Sequence, residues 1–213
     1  MTDSNKGFAS ASMTSGQLNS VVKCLGGKNA TMSLLTDQEL QKAVAELIAD
    51  WNKQPVVATY FTSLFVDETI MLPATKGSVT LADSSAVFPA CLDADLKNWQ
   101  TNRPGKNTKP QAVQVLEQSK DGNFKQMFES LGPLDQSVMS QGQIAAFCVT
   151  HRDKLRQEGW GTFFLFKVGA EYFVARVRVD ADGRLKLYVY RLGNSGVWNA
   201  QNRHRVVVPQ LDD

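Results

Sequence analysis

The side chains best suited to binding a ligand lie in the last third of the chain, where basic and aromatic residues alternate with apolar ones. They are Phe163, Arg176, Arg178, Lys186, Tyr188 and Tyr190. Guanidinium and ammonium groups bind phosphate oxygens, and aromatic rings offer planes on which bases stack. The sequence therefore suggests a surface that binds single-stranded nucleic acid or another anion.

The same six residues have a second interpretation, in which the N-terminal half of the chain covers them. Their rings would then belong to the core, and the aliphatic stems of the arginines would pack over it. We favour this alternative because phosphate-binding domains are usually distinctly basic, whereas the formal net charge of this 213-residue chain is only +2.

Catalytic chemistry has one candidate pair, Cys148 and His151. They are three positions apart along a predicted helix, so a thiolate and an imidazolium could share a face. The same stripe carries Phe147 and Leu155. We therefore interpret the cysteine and the histidine as semi-buried core residues.

The remaining histidine and cysteines give no sign of a metal site. His204 lies between two arginines and is interpreted as part of a basic strand edge. Cys24, Cys91 and Cys148 are far apart, and zinc sites need closer ligand spacing. Phosphate-binding loops, nucleophile elbows and metalloprotease motifs are missing from the sequence. We predict no catalytic residue, no metal and no cofactor.

A helix and a series of strands are predicted to position these side chains. Ser140 and Gln143 have the spacing of a capping box, and an apolar stripe follows until Gly159, which we interpret as the helix stop. Strands are predicted over 162–168, 171–180 and 184–192, with a last one from Arg205.

The lengths of the loops between these strands predict their register. Gly169-Ala170 suits a two-residue turn, and Ala181-Asp182-Gly183 suits a three-residue turn with a bulge. Apolar residues then share one face, under the 141–157 helix. They are Phe164, Phe166, Phe173, Val177, Leu187 and Val189. On the opposite face Arg178 is predicted to lie across from Lys186, and Arg176 between Phe163 and Tyr188.

The upstream sequence is less regular. A short helix is predicted over 18–24, and a longer one after the capping box of Thr36 and Glu39. A strand is predicted over 56–66, with shorter ones at 69–72 and 78–81, and helices at 111–118 and 124–131.

Together these elements predict an α+β fold. A C-terminal helix would pack on an antiparallel β-meander of about four strands, preceded by a mixed helix and strand N-terminal part. The predicted division is a flexible arm at 1–15, an N-terminal α/β part at 16–100, a linker at 101–110 and a C-terminal α+β domain at 111–213.

For function we predict a non-enzymatic binding or interaction protein. The alternatives are binding of single-stranded nucleic acid or an anion through the basic, aromatic face, and a small enzyme whose site leaves no local signature. We expect a protein partner before a nucleic acid, and no membrane, because no apolar run is long enough to span one. Unpaired, scattered cysteines suggest the cytoplasm.

Overall fold

The computed structural model describes residues 60–210. The predicted arm 1–15, the predicted helices over 18–24 and after Thr36, and the start of the predicted strand 56–66 lie outside the described residues.

The described residues form one mixed sheet of eight strands. The strands are β1 (Phe61–Leu64), β2 (Ile70–Leu72), β3 (Cys91–Leu92), β4 (Gln111–Gln118), β5 (Gly161–Val168), β6 (Glu171–Val179), β7 (Leu185–Arg191) and β8 (Arg205–Pro209). Their order is β1-β4-β8-β5-β6-β7-β3, with β2 also paired to β4. Residues on both sides of 101–110 therefore contribute strands to the same sheet.

The helices within 60–210 are short and precede the last four strands. They are α1 (Asp95–Asn98), α2 (Phe124–Glu129), α3 (Leu134–Ser137) and α4 (Gln141–Thr150). Among them, none is long and apolar enough to cross a membrane.

The predicted fold class, a C-terminal helix on a four-stranded antiparallel meander, is wrong. The C-terminal region consists of strands, and β8 does not continue the meander beyond β7, where β3 pairs instead. Strand β8 lies between β4 and β5, antiparallel to β4 and parallel to β5. A parallel neighbour cannot be reached by a hairpin, so the chain must cross the sheet before β8.

The predicted register of β5, β6 and β7 is confirmed. Val168 pairs with Glu171 across a two-residue turn, in which Gly169 has a φ of 61°. Val179 pairs with Leu185 across the second turn, where Gly183 has a φ of 79°. Glycine adopts this left-handed conformation without steric cost, so the turn residues determine which side chains share a face.

The prediction of a helix over 111–118 is wrong, because this segment is β4. Both faces of β4 are covered, so Val115 and Leu116 are adjacent and both buried. Consecutive buried residues break the alternation by which a half-exposed strand is recognised. The predicted strand at 78–81 is also wrong, because a 3₁₀ turn starts at Leu81. The helix predicted over 124–131 and the strand at 69–72 are confirmed as α2 and β2.

The capping box that begins α4 is confirmed. Ser140 Oγ accepts a hydrogen bond from the Gln143 backbone at 3.1 Å, and Gln143 Oε1 accepts one from the Ser140 backbone at 2.8 Å. The helix ends at Thr150, earlier than predicted, and a 3₁₀ turn follows over Arg152–Lys154. Gly159 does not stop a helix; it lies in the tight turn that leads into β5, with a φ of 75°.

The sheet has two faces with separate apolar clusters. The inner face carries Phe164, Phe166, Phe173, Val177, Leu187 and Val189, as predicted, and packs under α4 through Ile144, Phe147 and Cys148. The outer face carries Phe163, Leu165, Val174 and Val206, and packs under α2 through Phe124, Met127 and Phe128. Each face buries its apolar residues against a helix, which accounts for the position of both helices.

Candidate functional site

The six predicted site residues lie on the outer face in the predicted arrangement. Arg178 is opposite Lys186, and Arg176 lies between Phe163 and Tyr188. Phe163 is fully buried, whereas the other five residues are half-buried.

Part of this face is covered, by α2 and by the segment that crosses the sheet between β7 and β8. The Phe163 ring contacts Phe124 edge-on at 5.0 Å between centroids and Trp198 at 4.9 Å. Tyr190 packs on the same two rings, at 5.5 Å and 5.8 Å. The rings of Phe163 and Tyr190 are thus occupied by other aromatic groups, and a base could not stack on Phe163 without displacing them.

Arg176 and Arg178, called here the arginine pair, occupy the neighbouring part of the outer face. Within residues 60–210 no carboxylate lies within ion-pair distance of either guanidinium. The Arg178 Nε donates to the Gly159 carbonyl, and the Arg176 guanidinium lies 4.8 Å from the centre of the Trp198 ring. Neither contact neutralises the charge of the pair.

Four other basic residues in or beside the sheet do have a carboxylate, whereas Arg205 on β8 has none within ion-pair distance among residues 60–210. The pairs are Lys167 with Asp135 at 2.7 Å, Lys186 with Asp180 at 3.1 Å, Arg191 with Glu171 at 2.7 Å and Arg203 with Glu117 at 2.6 Å. Asp180 therefore offsets one member of the opposed cations Arg178 and Lys186, and the arginine pair retains two uncompensated positive charges.

Gly161 gives the Arg176 side chain room to lie across β5. A Cβ atom on Gly161 would be 3.0 Å from the Arg176 Nε and 2.8 Å from the Phe163 ring. Contacts this short would force the side chain to move, so the position of the Arg176 guanidinium depends on a glycine here.

His204 is a site residue that the sequence interpretation missed. It was expected at a basic strand edge, but only 1% of its surface is exposed. Its Nδ1 accepts a hydrogen bond from the Gly161 backbone at 3.0 Å, which places the ring beside the arginine pair. Alternation along β8 is the signal that could have found it, because His204 shares the outer face with Val206 and Val208.

The environment of His204 disfavours its charged form. Burial, with the positive charges of Arg176, Arg156 and Arg178 as further causes, lowers its pKa to about 4 from 6.5, although the nearby Gly161 carbonyl acts in the opposite direction. At neutral pH the imidazole is therefore uncharged. Because Nδ1 accepts from Gly161, the ring hydrogen lies on Nε2.

Several buried N–H groups around His204 lack an acceptor among residues 60–210. They are the Nε of Arg176, the Nε1 of Trp198 and the Nε2 of His204. The Oε1 of Gln118 is likewise without a donor in that range. Uncompensated N–H dipoles add positive potential in a region of low dielectric, so they reinforce the charge of the arginine pair.

The candidate nucleophile and base do not form a catalytic pair. Cys148 is buried, and its burial raises the pKa of the thiol, which is the opposite of what a reactive thiolate requires. The His151 ring contacts the Met71 carbonyl at 2.9 Å and packs on Phe147. Across residues 60–210, no group of three or more His, Cys, Asp or Glu side chains could hold a metal ion.

A concave surface of about 470 Å³ lies at the start of α4 and is not lined by the arginine pair. Arg103, Lys106 and Lys167 contribute to its lining. Lys167 is paired with Asp135 as described above, and Arg103 donates to the Gln100 side chain at 3.0 Å. Arg103 and Lys106 are exposed, so solvent and salt screen their charges more than those of the half-buried arginine pair, which is therefore the better candidate for an anion.

Comparisons of the chain with protein-family models, with curated proteins and with solved structures found no match.

Proposed function

We propose that this chain is a binding protein that holds an anionic ligand on the outer face of its sheet, at Arg176 and Arg178. The observation that supports this proposal is the contrast in ion pairing. Among the described residues the arginine pair on β6 has no carboxylate partner, whereas Lys167 on β5 and Lys186 and Arg191 on β7 each have one.

A compact oxyanion, such as phosphate, sulfate or a carboxylate, fits the site better than a single strand of nucleic acid. Binding without sequence preference relies on aromatic planes that are free to stack with bases. Phe163 is fully buried and Tyr190 packs on Phe124, which leaves Tyr188 and the partly exposed Trp160 at the margin. Two guanidiniums on one strand can still donate several charge-assisted hydrogen bonds to an oxyanion.

The proposal can be tested by isothermal titration of the full chain with sodium sulfate, sodium phosphate and a short oligothymidylate. Each charge-assisted hydrogen bond contributes about 1.5–3 kcal/mol. The double variant Arg176→Gln with Arg178→Gln should therefore weaken oxyanion binding by at least about tenfold.

Arg191→Gln is the matched control, because Arg191 lies on the adjacent strand and is already paired with Glu171. This variant should bind like the parent. The proposal is wrong if the parent binds none of the probes, or if the double variant binds them as tightly as the parent does. Tighter binding of the oligothymidylate than of either oxyanion, with a steep salt dependence, would instead favour nucleic acid.

A further inference from the structure

We infer that the binding of an anion at Arg176 and Arg178 is coupled to the uptake of a proton by His204, so that the site binds its ligand more tightly in acid. This inference rests on the proposed function and concerns the regulation of the same site. It starts from the position of His204, a fully buried imidazole hydrogen-bonded to the glycine that Arg176 lies across.

The backbone of Gly161 can serve both protonation states of His204. The Nδ1 atom lies 3.0 Å from the Gly161 nitrogen and 3.3 Å from the Gly161 carbonyl oxygen. In the neutral ring Nδ1 accepts from the N–H group, and Nε2 carries the hydrogen. A proton taken from solvent would add to Nδ1, which could then donate to the carbonyl oxygen with a small rotation of the ring.

The charged groups that act on His204 are all positive. Arg156 comes from the turn before β5, and Arg176 and Arg178 come from β6. The other elements packed against the ring contribute uncharged groups: Trp160 from that same turn, Phe163 from β5 and Trp198 from the crossing segment.

The acidic and basic groups nearest to His204 in the chain are engaged elsewhere. Arg203 pairs with Glu117, and Arg205 donates to the carbonyls of Lys154 and Leu155. Among the described residues, Glu158 lies 3.5 Å from Arg156, and Asp180 pairs with Lys186 opposite Arg178. Within the described range, the arginine pair is therefore the source of positive charge that a ligand can neutralise.

An anion bound to the arginine pair would oppose the repulsion that keeps His204 neutral. Linkage requires the converse effect as well: if the anion raises the pKa of His204, protonation of His204 must tighten the binding of the anion by the same factor. At an effective dielectric constant of about 20, a unit charge about 12 Å away shifts a pKa by about one unit, which corresponds to about tenfold in affinity at full effect.

The decisive measurement is the titration of the two histidine side chains by ¹⁵N-edited NMR, with and without sulfate. The chain contains only two histidines, and sulfate stays fully ionised between about pH 4 and pH 7, so the ligand itself contributes no proton. The titration midpoint of His204 should rise by about one pH unit when sulfate is present. The midpoint of His151, on the other side of the sheet, should not move.

Affinity measurements separate this inference from the proposed function. Sulfate should bind the parent about threefold more tightly near pH 4.5 than near pH 7. His204→Gln should remove most of that difference, and His151→Gln should keep it. If sulfate binds and depends on the arginine pair, but the midpoint of His204 is unchanged, the coupling is wrong and the proposed function stands. If sulfate does not bind at all, both are wrong.

Discussion

The two faces of the sheet differ in how many of their buried polar side-chain atoms have a hydrogen-bond partner. The inner face is mostly apolar, with Thr162 and Arg205 as polar exceptions, and α4 closes it with ring contacts such as Phe147 on Phe164, at 5.5 Å. The part of the outer face under α2 is also apolar, but the neighbouring part carries the arginine pair and His204. Of the five buried side-chain atoms that lack a partner within 60–210, four belong to residues of this outer region.

The difference assigns most of the stabilising apolar burial to the inner face, and it is consistent with the anion site that we propose on the outer face. Apolar burial contributes free energy without leaving groups that need a partner. A buried donor without an acceptor costs about 1–3 kcal/mol, and a protein retains such groups more readily where they serve a site. The comparison suggests three experiments, from the largest expected effect to the smallest.

The inner face should be the more sensitive to truncation. Phe164 is fully buried in its cluster, so Phe164→Ala should lower the free energy of unfolding by about 3–5 kcal/mol, through lost burial and the cavity that remains. Urea unfolding followed by circular dichroism measures the change. Tyr188→Ala is the matched variant on the half-buried part of the outer face and should cost clearly less. Equal losses of unfolding free energy for the two variants would mean that the inner face does not contribute more to stability than this part of the outer face.

The outer face should make the protein sensitive to acid through His204. Its pKa is about 4 in the folded chain and near 6.5 when unperturbed, so the unfolded chain binds a proton that the folded chain does not. The stabilisation is complete above pH 6.5 and is lost as the pH falls towards 4, by roughly 3 kcal/mol in total.

Urea unfolding at a series of pH values tests this expectation. His204→Gln should flatten the decline between pH 6.5 and 4, while His151→Gln should retain it. Parallel profiles for the parent and the His204 variant would show that other groups cause the acid sensitivity.

A small change at Gly161 should affect binding more than stability. The Cβ of Gly161→Ala would contact the flexible Arg176 side chain and the edge of the Phe163 ring. We expect a loss of about 1–2 kcal/mol in unfolding free energy from this overpacking. Displacement of the guanidinium should also weaken sulfate binding. Gly193→Ala is the control, since nothing lies near its added methyl group. Unchanged sulfate affinity in the Gly161 variant would show that the position of the Arg176 guanidinium does not determine sulfate binding.

Local chemistry was enough to predict the hairpins but not the order of the strands. Gly169 and Gly183 fix the two turns between β5, β6 and β7, and the alternation along those strands then fixes the faces. The position of β8 depends on pairing with β4, about ninety residues earlier, and no turn signals such a contact. The fold class was wrong for this reason, although most strands after Gly159 were correct.

The part of the candidate site that lies on one hairpin was predictable, and the part that depends on distant segments was not. The pairing of Arg178 with Lys186 follows from a hairpin and was correct. The cover provided by Phe124 and Trp198 comes from distant segments, so the burial of Phe163 did not follow from its own strand. His204 was misinterpreted because its charged neighbours were given more weight than the alternation of β8.

The central position of β8 has a consequence for how the chain is made. Until residues 205–209 leave the ribosome, β1, β2 and β4 can form one small sheet, and β5, β6, β7 and β3 another. Each half then exposes an unpaired edge strand, β4 in one and β5 in the other, and both carry apolar residues. Among the described strands, these two edges would then be open to pairing with another nascent chain during synthesis. The single sheet is complete only when β8 pairs with both β4 and β5.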